Sequence, residues 1–403
     1  MRILFCAQEA PLPPPDGFRL YLNSLASQLI EEHDVRILAF QASTQDPDAS
    51  TPFDMRLLQL PPRRSPEWFG YIAGSLLRSV FLSRPLRVDE YARRLEAPLR
   101  EELASFRPDV VHVATGSLAA VADALDGVPS VLAALDAWHL NVEAWAAEAR
   151  GVRKWILNSE AGRVRRFEAR EFRRFGRVLV VTDEDKKALQ SLDPNLRVSV
   201  IPNGVDVGRY MSRGRDRVGA RIVFTGVMSY APNVAAAELL ARRIMPEVRA
   251  SLPKAHLQIV GRQPNAKVRQ LGELDAVEVT GEVPDVEPYL SSSSVYACPM
   301  VSGTGIKNKL LEAMANGLAC VATPLAVQGM AVTNGIELEL AEPKDFAPRL
   351  VAVLRDGQRA ARLGSAAQAY ALDNHSWAAV AARHLEAYGE VISDGGAGLV
   401  QNN

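Results

Sequence analysis

The chain has 403 residues, too many for one ordinary core, so two domains of about 200 residues each are expected. Its 46 Lys and Arg against 47 Asp and Glu leave a net charge of −1, which argues against a general nucleic-acid-binding surface. With 48% hydrophobic and 23% charged residues the composition is that of a globular chain rather than a disordered one, and no run reaches the ~18 apolar residues that a spanning helix needs, so none is expected.

Residues 3–6 read as a buried strand and 8–17 as a proline-rich turn. Leu22, Leu25, Ala26, Leu29 and Ile30 then fall at helical spacing before a strand at 35–40, which makes a βαβ unit. Strands at 55–60, 110–113, 131–135, 178–181 and 198–201 continue that sheet, with two helical segments over 66–106. Residues 142–175 read as one long, arginine-rich helix with an apolar stripe of Val164, Phe167, Phe172 and Phe175. Residues 202–206 turn out of the sheet, and the polar segment 209–217 reads as a linker. The pattern then restarts: strands at 222–225, 257–260, 277–280, 295–299 and 336–340, helices over 233–251, 344–355, 358–371 and 376–392, and a frayed tail from 394. Each half alternates strand and helix, so an α/β class with two doubly wound parallel-sheet domains is expected. The boundaries read as 1–205, 206–373, and a C-terminal helix over 374–403 that crosses back to the first domain. The start of the chain lacks a secretory signal's apolar region, and Cys6, Cys298 and Cys320 each lie in an apolar strand-like run. Reduced core thiols and a cytoplasmic location, extending to the inner face of the membrane, are the expectation.

The most informative stretch is 302–317. A short apolar strand leads into Ser302-Gly303-Thr304-Gly305, then a helix whose Ile306, Leu310, Leu311, Met314 and Ala315 share a face, stopped by Gly317. A glycine loop opening a helix offers free N–H groups and a positive helix end. Lys307 and Lys309 add cations where the helix dipole alone would favour acids, so an anion, most simply a phosphate, is expected there. The plain alternative is a tight strand-to-helix turn with solvated lysines.

Several segments resemble the large retaining family four of nucleotide-sugar-dependent glycosyltransferases. They are Pro202-Asn203-Gly204-Val205-Asp206, Phe224-Thr225-Gly226, Ile259-Val260-Gly261-Arg262, Thr280-Gly281-Glu282-Val283-Pro284 and Leu311-Glu312-Ala313-Met314-Ala315-Asn316-Gly317. Gly303-Thr304-Gly305-Ile306-Lys307-Asn308-Lys309 is similar to a bacterial subgroup associated with exopolysaccharide and surface-glycan loci. The resemblance implies a GT-B fold, two Rossmann-like domains facing across a cleft, with the donor on the second and the acceptor on the first. It implies that Glu312 accepts from the ribose hydroxyls, that the backbone at Gly305 and Ile306 holds the diphosphate, and that Val283 pairs with the base. It also implies that Gly17 allows close approach to the donor sugar. Two departures stand out. A glutamate that the family often places eight residues before Glu312 is here Thr304, and its Arg/Lys pair after the first strand of the second domain is missing from 226–233. Lys307, Lys309 and Arg262 are the expected replacements.

Asp136 and His139 follow a strand end and are candidates for orienting an acceptor hydroxyl or stabilising a forming positive sugar; a helix-start role is the alternative for His139. Asp183-Glu184-Asp185 after Thr182 reads as helix capping rather than a metal site, and no histidines sit at metal-ligand spacing. Trp68-Phe69-Gly70-Tyr71 beside Arg63 and Arg64 reads as helix core, with an acceptor groove or peripheral membrane contact as the alternatives. The arginines of 163–177, interleaved with Glu168 and Glu171, read as a solvated, salt-bridged face.

The expected activity is transfer of a hexose-type unit from a nucleoside-diphosphate sugar, a UDP-sugar by preference, to an acceptor hydroxyl, with retention and without metal or cofactor. The acceptor is a glycan, a lipid-linked glycan or a small molecule; no nucleic-acid partner is expected. The rival readings are a GT-B epimerase or phosphorylase, and a non-catalytic nucleotide-sugar-binding protein. A dehydrogenase would need a G-x-G-x-x-G after the first strand, and residues 8–17 hold none.

Overall fold

The computed structural model describes residues 1–12, 17–41, 51–60, 85, 88–211, 219–303 and 306–400. The chain forms two units, one of Met1–Pro202 with Val380–Asn403, the other of Asn203–Ala379.

Unit 1 is built on a seven-stranded, all-parallel sheet, and its strands run from β1 (Arg2–Ala7), β2 (Asp34–Phe40) and β3 (Asp54–Leu58) to β4 (Val110–Ala114), β5 (Ser130–Leu135), β6 (Arg177–Val180) and β7 (Val198–Val200). Their order is β3-β2-β1-β4-β5-β6-β7. Ile3 lies opposite Val35 on one side and Val110 on the other, so β1 is central. Its residues from Ile3 to Ala7 and all of β4 are buried, as a sheet covered on both faces requires. The helices are α1 (Gly17–Leu29), α2 (Val88–Phe106), α3 (Trp138–Glu148), α4 (Gly151–Glu171) and α5 (Asp183–Leu192).

Unit 2 opens with α6 (Val207–Met211) and β8 (Arg221–Thr225). It continues through α7 (Ala231–Leu239), a π turn at Leu240–Ile244, α8 (Met245–Ser251), β9 (His256–Val260), α9 (Ala266–Leu271), β10 (Val277–Gly281) and α10 (Glu287–Ser291). Then come β11 (Val295–Cys298), α11 (Asn308–Ala315), β12 (Cys320–Ala322), β13 (Glu339–Leu340), α12 (Phe346–Arg355) and α13 (Gly357–His375). Its six parallel strands run β10-β9-β8-β11-β12-β13. The chain enters this unit through Pro202-Asn203-Gly204-Val205. A Cβ on Gly204 would lie 2.5 Å from the Trp377 indole, and Val205 N–H donates to His375 O at 2.7 Å. The family-like glycine is therefore explained by packing within unit 2.

The last helix, α14 (Trp377–Val400), returns to unit 1 and closes a buried polar chain. His384 Nδ1–H donates to Val380 O at 2.8 Å, which leaves its Nε2 to accept from the Tyr21 hydroxyl at 2.9 Å. Tyr21 in turn lies 3.4 Å from His112 Nε2, and His112 Nδ1 is 2.7 Å from the Tyr388 hydroxyl. Both imidazoles are neutral in this arrangement, and burial lowers both pKa values, that of His384 to about 4.

Five details differ from the sequence expectations. The helix expected over 142–175 is two helices and a 3-10 turn, broken at Ala149-Arg150-Gly151, where Gly151 takes a φ of 59°. Residues 209–211, expected in a linker, lie in α6; those from 212 to 218 are outside the described residues. The strand expected over 336–340 is only two residues long, and Ile336 is exposed. The helix around Ile306 begins at Asn308, with Lys307 as its cap residue. The frayed tail expected from 394 is helical to Val400. The Trp68–Tyr71 cluster, with Arg63 and Arg64, lies outside the described residues.

Candidate functional site

In unit 2 the strand order reverses between β8 and β11, where the connections leave in opposite directions and open a crevice at the strands' carboxyl ends. Residues 302–317 begin there. Lys309, in the first turn of α11, donates from Nζ to Asn233 Oδ1 on α7 and lies 5.0 Å from the Phe224 ring centroid on β8. Asn233 is itself fixed by donating from Nδ2 to Val227 O at 3.0 Å. Lys307 is buried and donates to Gly303 O at 3.1 Å, which ties the loop to the helix start. Burial lowers the Lys309 pKa and the neighbouring Lys307 charge lowers it further, against the opposing pull of Cys298 and Glu312. Two ammonium groups and the first N–H groups of α11, which have no partner within the helix, make this corner electropositive.

The floor of the crevice depends on two glycines. Gly226 and Gly261 have φ values of 155° and 151°, and a Cβ on Gly261 would lie 1.7 Å from Gly226 O. The ends of β8 and β9 therefore meet backbone to backbone. Arg262, next along, is exposed, and its carbonyl accepts from Met228 N–H at 2.9 Å. Val283 and Ile306 are partly buried against the unit's core. Thr304 and Gly305 lie outside the described residues.

Glu312 is one turn beyond the lysines. Burial raises its pKa to about 7; Arg209, Lys309 and a hydrogen bond with Tyr210 oppose the shift, and Asp285 adds to it. Arg209 and Tyr210 come from α6, and Arg209 also pairs with Asp285 at 2.6 Å. These two residues were missed in the sequence because the segment reads as a linker. The apolar i, i+3 pair Val207 and Tyr210, both buried, was the available signal.

Unit 1 has its own reversal, between β1 and β4. Gly17 starts α1 and is exposed, and among the described residues nothing beyond its chain neighbours and its own helix lies within 4 Å of where a Cβ would stand. Two strands ending here carry non-glycine residues in the left-handed region: Thr115 after β4 at φ 93° and Leu135 closing β5 at φ 67°. Asp136 follows Leu135. It retains accessible surface, yet packed atoms crowd its carboxylate, and this desolvation raises its pKa to about 6. Asn141 Nδ2 donates to it at 2.9 Å and opposes the shift; Asp185 and Glu168 add to it. His139 is buried, and its Nδ1 bonds Glu168 Oε2 at 2.5 Å, so the ring faces α4 rather than solvent. Thr182 caps α5 by accepting from Asp185 N–H at 3.1 Å, and Asp185 in turn accepts from Ala137 N–H at 3.0 Å. Among the described residues no cluster of three or more His, Cys, Asp or Glu side chains is arranged to hold a metal ion.

The family model described as Glycosyltransferase Family 4 matches residues 15–209, and that of Glycosyl transferases group 1 matches 219–356. The phosphatidyl-myo-inositol mannosyltransferase of Mycolicibacterium smegmatis is 31% identical over 208 residues, covering 49% of this chain and 52% of that protein. Its Mycobacterium tuberculosis (strain H37Rv) counterpart is 31% identical over 210 residues, 48% and 54% of the two chains. This chain thus spans about half the length of the curated relatives it matches. In fold it resembles sucrose-phosphate synthase from Thermosynechococcus elongatus, with a TM-score of 0.66 at 15% identity over 98% of this chain and 100% of that one. Anabaena HepE in complex with UDP has a TM-score of 0.62 at 16% identity over 96% and 100%. With adjacent family models matching both halves, and two parallel Rossmann-like sheets beneath them, the chain belongs to the group 1, family-four glycosyltransferases of GT-B fold.

Proposed function

We propose that this protein is a retaining glycosyltransferase that moves a sugar from a nucleoside-diphosphate donor to an acceptor hydroxyl, needing neither metal nor cofactor. The observation that carries the reading is the electropositive corner of unit 2, Lys307 and Lys309 at the start of α11, one turn from Glu312. A departing diphosphate needs cations and oriented N–H groups, and this corner supplies both. Glu312 accepts from the ribose hydroxyls, and Val283 meets the base through its main chain. The main chain at Gly305 and Ile306 takes the diphosphate, and Arg262 supplies charge from the β9 end. In unit 1, Asp136 acts on the acceptor hydroxyl or on the forming sugar cation, since its pKa of about 6 lies close to working pH. His139, held by Glu168, positions that segment, and Gly17 leaves room at the β1 loop.

A UDP-sugar is the first donor to try, because solved neighbours were obtained with UDP. GDP-mannose is the second, since a relative 29% identical over 219 residues is a GDP-mannose-dependent mannosyltransferase. Relatives that act on phosphatidylinositol favour a lipid-linked acceptor over a soluble glycan or a small aglycone. The deciding experiment is a thermal-shift screen of nucleoside diphosphates and their sugars, followed by anomer analysis of the product with and without chelator. Lys307→Ala should lower turnover about 10²- to 10³-fold with the melting midpoint of the free protein near wild type. Wild-type kinetics in that variant would sink the reading. Donor turnover without an acceptor would favour an epimerase or phosphorylase, and tight donor binding without turnover a binding protein.

A further inference from the structure

The α3–α4 hairpin of unit 1 carries apolar side chains on the outside. Trp145 is 54% exposed, Val152 74%, Trp155 73% and Ile156 45%. The two arms are joined by Ala149 and Arg150. Trp145 lies four residues before Ala149 and Trp155 four after Gly151, so each sits about 6 Å along its arm from the bend. On α4, Val152, Trp155 and Ile156 are spaced i, i+3, i+4 and form one stripe. At about 100° per residue that stripe is turned to the side of α4 opposite Leu157, Ala161 and Val164, which pack into the hairpin core.

The same outer face, followed down the helix, becomes basic. From Ile156 the helical period leads through Ser159 to Arg163, Arg166 and Arg170. Glu168 and Glu171, interleaved with these arginines in sequence, are buried and lie off this face. Arg163 bonds Glu160 and Arg170 bonds Glu171, whereas Arg166 is exposed and makes no ion pair among the described residues. Beside the apolar tip, Arg150, Arg153 and Lys154 are also exposed, with Glu148 the one exposed acid between Trp145 and Ile156. An exposed tryptophan pair followed along one helix face by arginines matches the two layers of an anionic bilayer surface, apolar at acyl depth and negative at the headgroups.

We propose that the outer face of the α3–α4 hairpin docks on an anionic membrane surface. Trp145, Val152, Trp155 and Ile156 enter the interface, and Arg163, Arg166 and Arg170 meet the lipid phosphates. The site is separate from the sugar-transfer residues, so it stands or falls independently of that assignment.

The test is co-sedimentation of the full chain with vesicles of phosphatidylcholine, with and without phosphatidylglycerol. The wild type should bind only the anionic vesicles, with a blue shift of tryptophan emission, and release as salt is raised. A Trp145→Ser, Trp155→Ser double variant should bind at least about tenfold more weakly. Arg166→Ala should weaken binding about fivefold. Both variants should keep the far-ultraviolet circular dichroism and the melting midpoint of the wild type, which reports that both are folded. Equal binding to neutral vesicles, or unchanged binding by the double variant, overturns the proposal. So does a concentration-dependent dimer that Trp155→Ser dissolves without any vesicle binding, since the face would then belong to a second copy.

Discussion

At the carboxyl ends of its strands unit 2 gathers lysines and a helix N-terminus, whereas unit 1 gathers Asp136, Asp185 and Glu168 around capped or strained backbone. The sheets share one plan, so the difference lies in what the loops carry. In unit 2, glycines bring β8 and β9 together and the local charge is positive, with Glu312 pushed to about 7 by burial. In unit 1 the comparable turns at Thr115 and Leu135 are made by residues with side chains, at the cost of a left-handed backbone. One edge is electropositive; the other holds Asp136, whose pKa burial raises to about 6, and Glu168, which burial shifts in the same direction.

The largest effect that would sharpen this contrast comes from adding a methyl group to each edge. Gly261→Ala sets a Cβ against Gly226 O and should cost about 3 kcal/mol or more in unit 2, read from its unfolding transition. Gly17→Ala, where the space is open, should leave unit 1 unchanged or slightly stabilised. If the two variants melt alike, the close approach of β8 and β9 is not what shapes the site.

Acid should affect unit 1 first. His112 and His384 have folded pKa values below the usual 6.5, so the unfolded chain binds more protons between that value and the folded ones. Stability from this pair is complete above about pH 6.5 and is lost as pH falls through about 4 for His384. The groups facing His384 are Tyr21, His112, Tyr388 and the Val380 carbonyl, none of them acidic enough to receive a buried charge. A His384→Gln variant should flatten this slope in a pH series of melting midpoints; an unchanged slope would place the acid sensitivity elsewhere.

Smaller and confined to unit 2, Lys309→Met should weaken nucleoside-diphosphate binding about 10- to 100-fold by calorimetry, as expected for a lost charge-assisted contact. Equal affinity would mean that Asn233 alone is its partner. The smallest effect is the pH response of Glu312. Its raised pKa means that ionisation costs stability as pH climbs from the usual carboxylate range to about 7. The ionised form accepts ribose hydroxyls best, so nucleoside affinity should rise severalfold through about pH 7 and become flat in Glu312→Gln.

Much of the fold was legible because parallel strands buried on both faces must be continuous apolar runs and their helices must show a 3.6-residue period. The loop at 302–317 was legible for the same local reason. What escaped was non-local or backbone-specific. His139 meets Glu168 across 29 residues and Tyr21 meets His384 across 363, and no spacing rule reaches that far. Leu135 and Thr115 take positive φ without glycine or asparagine to announce it. The break at 149–151 has no proline, and the bend at Gly151 looks like an ordinary helical position until the second arm is seen to fold back on the first.

The return of α14 to unit 1 has a consequence for the order in which the protein is made. Unit 2 is one continuous stretch, Asn203–Ala379, and its strands are complete once that stretch has left the ribosome. Unit 1 is interrupted: His112 and Tyr21 are synthesised early, while His384 and Tyr388 follow after the whole of unit 2. Until then the His112 imidazole on β4 and the Tyr21 phenol on α1 lack the two partners that α14 brings, Tyr388 and His384. The half of the chain made first is therefore the half finished last, and it has to wait through the synthesis of its neighbour with a polar seam open.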